Sequence, residues 1–126
     1  MTRLHLLTKV KERKEQVGIT VENLSILSHL GSRTIDRFLS GEDVKLSTVE
    51  KVTNVLGLDF AGNEVINIDI LRDKRASEKA LYIVSLVQDT SALEMQGLEN
   101  DEINILFQET KDQFLTGEYQ KNLWAS

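Results

Sequence analysis

The residues able to do chemistry in this 126-residue chain are few, and their spacing narrows what that chemistry is. The two histidines, His5 and His29, lie far apart in sequence. Absence of cysteine removes a thiolate metal site, a cysteine nucleophile and any disulfide framework. The acidic cluster Glu99, Asp101 and Glu102 reads most simply as a helix start on a solvated surface. No glycine-rich phosphate loop, no Ser/His/Asp set at a recognisable spacing and no metal-ligand cluster occurs, so neither catalysis nor a cofactor is expected. What remains is a run of hydroxyl and basic side chains, Ser32, Arg33, Thr34 and Arg37, directly after a turn signal. Two arginines four residues apart suit an ordinary solvated helix face as well as an anionic ligand. Asp36 between them would repel phosphate, so it points away or orients an arginine. The surrounding elements have to decide.

Those elements are helical. Between Thr20 and Leu58 an apolar helical pattern is cut at His29-Leu30-Gly31 and resumes through Ile35, Phe38 and Leu39. Two short amphipathic helices joined by a tight turn are what a DNA-reading helix-turn-helix needs: one braces across the backbone while the second puts small and basic side chains into the major groove. A first helix is predicted from about Leu4 to Val17, with Leu6, Leu7, Val10 and Val17 on its apolar face. Lys9, Lys11, Glu12, Arg13, Lys14 and Glu15 form its charged far side, and Gly18 closes it in a left-handed conformation. Thr20 reads as the N-cap of a second helix, Val21 to Ser28, with Asn23 at the N3 position and Val21, Leu24 and Leu27 buried. A third helix starts near Ser32, buries Ile35, Phe38 and Leu39, and ends at Ser40-Gly41. The polar loop Glu42-Asp43-Val44-Lys45 leads to Ser47 as the next N-cap. A fourth helix then buries Val49, Val52, Val55 and Leu56 and stops at Gly57.

From Ala61 the character changes. Val65 to Ile70 alternates with β-branched enrichment, a signal for a short strand. A long helix from about Lys74 to Gln96 follows, with Ala76, Ala80, Ile83, Val84, Leu86 and Val87 on a wide apolar face, broken by Gly97. The last helix starts at Asn100 with Asp101 and Glu102 in its first turn, where they favour the dipole. It carries Ile103, Leu106, Phe107, Phe114 and Leu115 and stops at Gly117, leaving a tail with Tyr119 and Trp124. The expected fold is therefore mainly α: about four to five helices, a short strand, then two C-terminal amphipathic helices. Residues 1–60 are expected to form the helix-turn-helix domain and residues 61–126 a helical extension.

Net charge is −5, unevenly distributed. Residues 1–60 carry nine Lys/Arg against eight Asp/Glu, whereas residues 61–126 carry six against twelve. The first half can face phosphate, but specific binding there must rest on placed contacts more than bulk attraction. The run Met1 to Leu7 is too short and polar for a signal peptide, and no segment is apolar enough to span a bilayer. The expectation is a cytoplasmic protein with no membrane partner.

Gly18-Ile19-Thr20, Leu24-Ser25, Ile35, Phe38, Gly41 and the closing Val55-Leu56-Gly57-Leu58 fall at one consistent spacing, without a gap from Leu24 to Gly41. Through them the stretch from Leu4 to about Leu58 resembles the lambda-repressor-like (Xre/Cro) family of DNA-binding domains, which has Leu-Ala at the Leu24-Ser25 position. The resemblance implies that the third helix enters the major groove with Gly31, Ser32, Arg33, Thr34 and Arg37 facing it. Arg33 would then fork onto guanine O6 and N7, and Ser32 and Thr34 would meet a base edge or phosphate. Phosphate would meet the helix N-termini near Thr20 and Ser47, with Arg37 and Lys45 as clamps. Two departures stand out: Val21 replaces a phosphate-gripping Gln, and Leu39 replaces a Glu and is free to pack against an added element. Lys74-Arg75-Ala76-Ser77-Glu78-Lys79-Ala80, Ile83-Val84, Leu86-Val87-Gln88, Thr90 to Glu94, Gln96-Gly97-Leu98 and Leu123-Trp124 resemble the tail of some bacterial Xre-type regulators, implying an extension rather than a catalytic unit. Its helices could cover the first domain, pair with a second copy or bind another protein. The expected function is a transcriptional regulator, a homodimeric repressor on double-stranded DNA. The alternative is an antitoxin whose acidic C-terminal helices neutralise a partner toxin.

Overall fold

A computed structural model describes residues 3–93 and 100–125. They form six helices: α1 (Arg3–Val17), α2 (Val21–Ser28), α3 (Ser32–Leu39), α4 (Leu46–Val55), α5 (Ile68–Leu93) and α6 (Asn100–Thr116), followed by a 3-10 turn at Gln120–Asn122. Among the described residues there is no β-strand, only an isolated antiparallel bridge between Leu58 and Glu64. The fold is mainly α, as the periodicity predicts. The chain divides into two compact units: the described residues up to Leu71 together with Trp124 and Ala125, and Arg72–Leu123.

In the first unit the apolar positions recur at helical spacing and are drawn inward. Leu7, Val10 and Val17 of α1, Leu24 of α2, Ile35 and Phe38 of α3, and Val49, Val52 and Leu56 on and after α4 are buried. Each such side chain contributes about 1.5–3 kcal/mol by leaving water. α2 packs on α3 and α4, and α1 on α3. Val21, Leu27, Leu39 and Val55, expected inside, are only half-buried, while Ser28 and Thr53 are buried with their hydroxyls donating to carbonyls one turn back, those of Leu24 and Val49. Gly18 ends α1 with φ 79° and its amide donates to the Lys14 carbonyl at 3.0 Å.

Four sequence expectations need correction. The alternating segment Val65 to Ile70 is not a strand. The Gly57 carbonyl accepts both the Val65 and Ile66 amides, and Asn67 then caps α5, its side-chain oxygen accepting the Asp69 amide at 2.8 Å. Asparagine at an N-cap starts a helix regardless of the alternation around it. For that reason α5 begins at Ile68, six residues earlier than the Lys74 expected from its apolar face. Ser47 is not the cap of α4: Lys45 holds that position, its carbonyl accepting the Thr48 and Val49 amides, and Ser47 lies in the first turn. Arg13 does not belong to the solvated side of α1. It is 4% exposed, and its guanidinium donates to the Leu56 carbonyl (2.8 Å), the Ile66 carbonyl and Glu64 (2.6 Å). One buried fork thereby ties α1 to the end of α4 and to the segment before α5.

Two smaller features finish this unit. Asp59 Oδ1 accepts the Ala61 and Asn63 amides at 2.9 Å, and these bonds, Asn63 first, hold its carboxyl below the ordinary value. Trp124 returns to the first unit, where it is buried and its indole donates to the Val17 carbonyl at 3.2 Å.

In the second unit Ala76, Ala80 and Val84 make a buried stripe along α5 at a spacing of four, and Phe114 and Leu123 are buried from later elements. Lys111 pairs with Asp73 at 2.8 Å, and Arg75 Nε donates to the Leu123 carbonyl at 2.9 Å. Lys79 sits 5.7 Å from the Phe114 ring centre, and partial burial, then repulsion from Arg75, pushes its pKa below the ordinary value. α6 begins at Asn100 with Asp101 and Glu102 in its first turn, as expected, and ends before Gly117. The expected helix end at Gln96, the break at Gly97 and the position of Glu99 lie outside the described residues.

Candidate nucleic-acid interface

The turn between α2 and α3 is built by local chemistry. Thr20 Oγ1 accepts the Asn23 amide at 3.1 Å and starts α2, as the sequence predicts. At the other end His29 adopts φ 58°, ψ 36°, a left-handed conformation that no other described non-glycine residue takes. That step costs about 1–2 kcal/mol for an L-residue. It is offset by three closures: the His29 amide to the Ile26 carbonyl (3.2 Å), the Leu30 amide to the Ser25 carbonyl (3.1 Å), and the Ser25 hydroxyl to the Leu30 carbonyl. Ser25 thus stitches the turn through its own side chain.

α3 then starts from Gly31, whose carbonyl accepts the Thr34 and Ile35 amides at 3.0 and 3.2 Å. Ile35 and Phe38 are drawn inward, and a helix that buries those positions must turn 33, 36 and 37 outward. Arg33, Asp36 and Arg37 are indeed exposed, as is Ser32, while Thr34 is half-buried. Asp36, between the two arginines in sequence, is exposed as they are. Neither arginine takes part in an ion pair among the described residues.

Of the expected site residues, α3 and its cap bring five together: Gly31, Ser32, Arg33, Thr34 and Arg37. Thr20 stands at the start of α2, and Lys45 and Ser47 at the start of α4; all three are exposed. The N-termini of α3 and α4 share a property that propensity alone would not suggest. Neither Gly31 nor Lys45 caps its helix with a side chain, so the first-turn amides and the positive end of the dipole stay available to an anion. α2 differs, because the Thr20 oxygen is already a cap and Glu22 puts an exposed carboxylate in its first turn. What the sequence reading missed is the support: Arg13 and Trp124. Arg13 had a visible signal, since it lies three residues from Val10 and four from Val17, on the apolar side of α1. Trp124 had none, its partner being 107 residues away.

Among the described residues no group of three or more His, Asp or Glu could hold a metal ion, and no helix is long and apolar enough to cross a membrane. The geometry is that of a helix-turn-helix: two eight-residue helices, a tight turn, and a second helix offering arginines to solvent. The chain is similar to a protein of Archaeoglobus fulgidus named "Putative HTH-type transcriptional regulatory protein", 23% identical over 114 residues, which cover 86% of this chain and 36% of that protein. This chain therefore spans about a third of that relative's length. No family model matches the chain, and no solved structure matches it.

Proposed function

We propose that the protein is a sequence-specific DNA-binding transcriptional regulator of the Xre/Cro type, acting as a homodimeric repressor. The observation that carries this reading is the solvent-facing pair Arg33 and Arg37 on α3, a helix anchored by Ile35 and Phe38 and set against α2 by the left-handed turn at His29. In this reading α3 lies in the major groove and Arg33 forks onto a guanine edge. Ser32 and Thr34 reach a base edge or phosphate, and Arg37 meets the backbone. Phosphates seat on the N-terminus of α4 at Lys45 and Ser47, and more weakly near Thr20, where the side-chain cap and Glu22 compete with them. A symmetric operator asks for two copies of α3 one helical turn apart, about 34 Å, which a second copy supplies.

The test is a gel shift on the DNA upstream of the protein's own gene, with wild type and Arg33→Ala. The reading expects a discrete wild-type shift that survives excess unrelated DNA, and a variant of unchanged fold that no longer discriminates. Equal discrimination by the variant would remove Arg33 from the recognition role.

A second reading rests on the charge split, with six Lys/Arg against twelve Asp/Glu in residues 61–126. An antitoxin would use these acidic helices to hold a basic toxin and its helix-turn-helix to regulate its own operon. Co-purification with a toxin that is lost in the full-length charge-neutralised variant D101N/E102Q/D112N, whose positions on α6 are exposed, would favour it. Retention of every native partner by that variant would rule it out.

A further inference from the structure

α3 carries one charged group that its proposed task leaves without a role. Asp36 is an exposed carboxylate, three residues after Arg33 and one before Arg37. A spacing of three makes side chains neighbours on a helix surface, and an Arg–Asp pair there is favourable. No such pair forms: among the described residues Asp36 has no ion pair, and its side chain accepts no hydrogen bond. Nor does it serve the helix itself. α3 starts from Gly31, and Asp36 lies beyond the first turn, where a carboxylate would favour the dipole. Its neighbour Ile35 is buried and Asp36 is not, so it adds nothing to the core either.

An unpaired carboxylate on a surface that approaches phosphate weakens binding whatever the base sequence. A base edge that supplies a donor offsets that cost, and the four bases differ sharply here. In the major groove cytosine presents the N4 amino donor alone. Adenine sets its N6 donor beside the N7 acceptor, guanine presents two acceptors, and thymine presents an acceptor and a methyl group. Cytosine is therefore the base that meets a carboxylate without repulsion. The position follows from the helix. Three residues rise about 4.5 Å along its axis, close to the ~3.4 Å between stacked base pairs.

We propose that Asp36 is a specificity-determining residue that accepts a hydrogen bond from cytosine N4, at a base pair beside the guanine assigned to Arg33. The assignment rests on the proposed function, because it needs α3 in the major groove. Arg33 and Asp36 then read opposite chemistry, one a pair of acceptors and the other a donor.

Selection from a random-sequence duplex library tests this, with the full-length wild type, Asp36→Ala, Asp36→Asn and Arg33→Ala. Anisotropy follows on the selected duplex and on versions with single base pairs changed, and circular dichroism checks each fold. The wild type is expected to select a cytosine that it prefers by about fivefold or more. Asp36→Ala loses that preference while the guanine of Arg33 is still selected. Asp36→Asn admits adenine at the same position, since an amide pairs with both N6 and N7. A uniform rise in affinity with an unchanged motif would reduce Asp36 to a repeller of phosphate and overturn the proposal. Loss in Asp36→Ala of the same base preference that Arg33→Ala loses would make it an orienter of Arg33, and overturns it as well. A wild type that selects no motif overturns the proposed function together with this inference, whereas a motif untouched by both Asp36 variants overturns the inference alone.

Discussion

Arg13 shows how one side chain can organise a small helical unit. Its guanidinium satisfies the Leu56 and Ile66 carbonyls from inside the protein, while its ionic partner Glu64 is half-exposed. The two kinds of contact should separate on mutation. Arg13→Leu leaves two carbonyls without their donor, at about 1–3 kcal/mol each, and is expected to cost about 2–6 kcal/mol in urea unfolding. Glu64→Gln removes only a solvent-screened charge and should cost less than about 1 kcal/mol. Equal losses would mean that the ion pair, not the carbonyl bonds, holds the network. Sequence put Arg13 on a charged face because lysines and glutamates surround it, and its acceptors lie more than forty residues downstream. Arg33 and Arg37 were legible for the opposite reason: their exposure follows from Ile35 and Phe38 a few residues away.

The helices of the first unit were legible wherever their start and stop signals are local. Gly18, Thr20 and Gly41 did what their residue types suggest, and α2 and α3 have the expected bounds. Two starts were not legible. Asn67 caps α5 inside a stretch whose alternation reads as a strand, and Lys45 is a cap by backbone geometry alone. The glycines at positive φ give a graded prediction at this scale. Gly18→Ala meets no atom within 4 Å and should lose only the left-handed backbone cost, about 1–2 kcal/mol. Gly57→Ala has the same conformational cost, and its Cβ also meets Arg13 and Ile66 at 3.3 Å, so it should lose distinctly more. Thermal melts of the two variants check the order. At the start of α4, Lys45→Ala should weaken DNA binding evenly across sequences and lower the salt slope by about one, measured by anisotropy at several salt concentrations.

At the scale of the whole molecule, the chain leaves the first unit at Arg72 and re-enters it at Trp124. Trp124 is therefore part of the core of the first unit, while the tail before it, up to Leu123, belongs to the second. Trp124 is the sole tryptophan, and a buried indole bonded to the Val17 carbonyl should emit in the blue until the unit unfolds. Trp124→Ala is expected to cost about 3–5 kcal/mol, read by urea unfolding followed by circular dichroism. No periodicity could reveal this return, because it depends on a contact across nearly the whole chain. The central claim is that α3 reads base sequence through Arg33, and competition anisotropy tests it most directly. Wild type and Arg33→Ala are titrated onto the upstream DNA and onto a scrambled duplex of equal length and salt. The account predicts that the wild type's preference for the upstream DNA falls by about tenfold to a hundredfold in the variant, the ~1–3 kcal/mol of one bidentate base contact, while scrambled binding changes far less. An unchanged preference in a folded variant would contradict it.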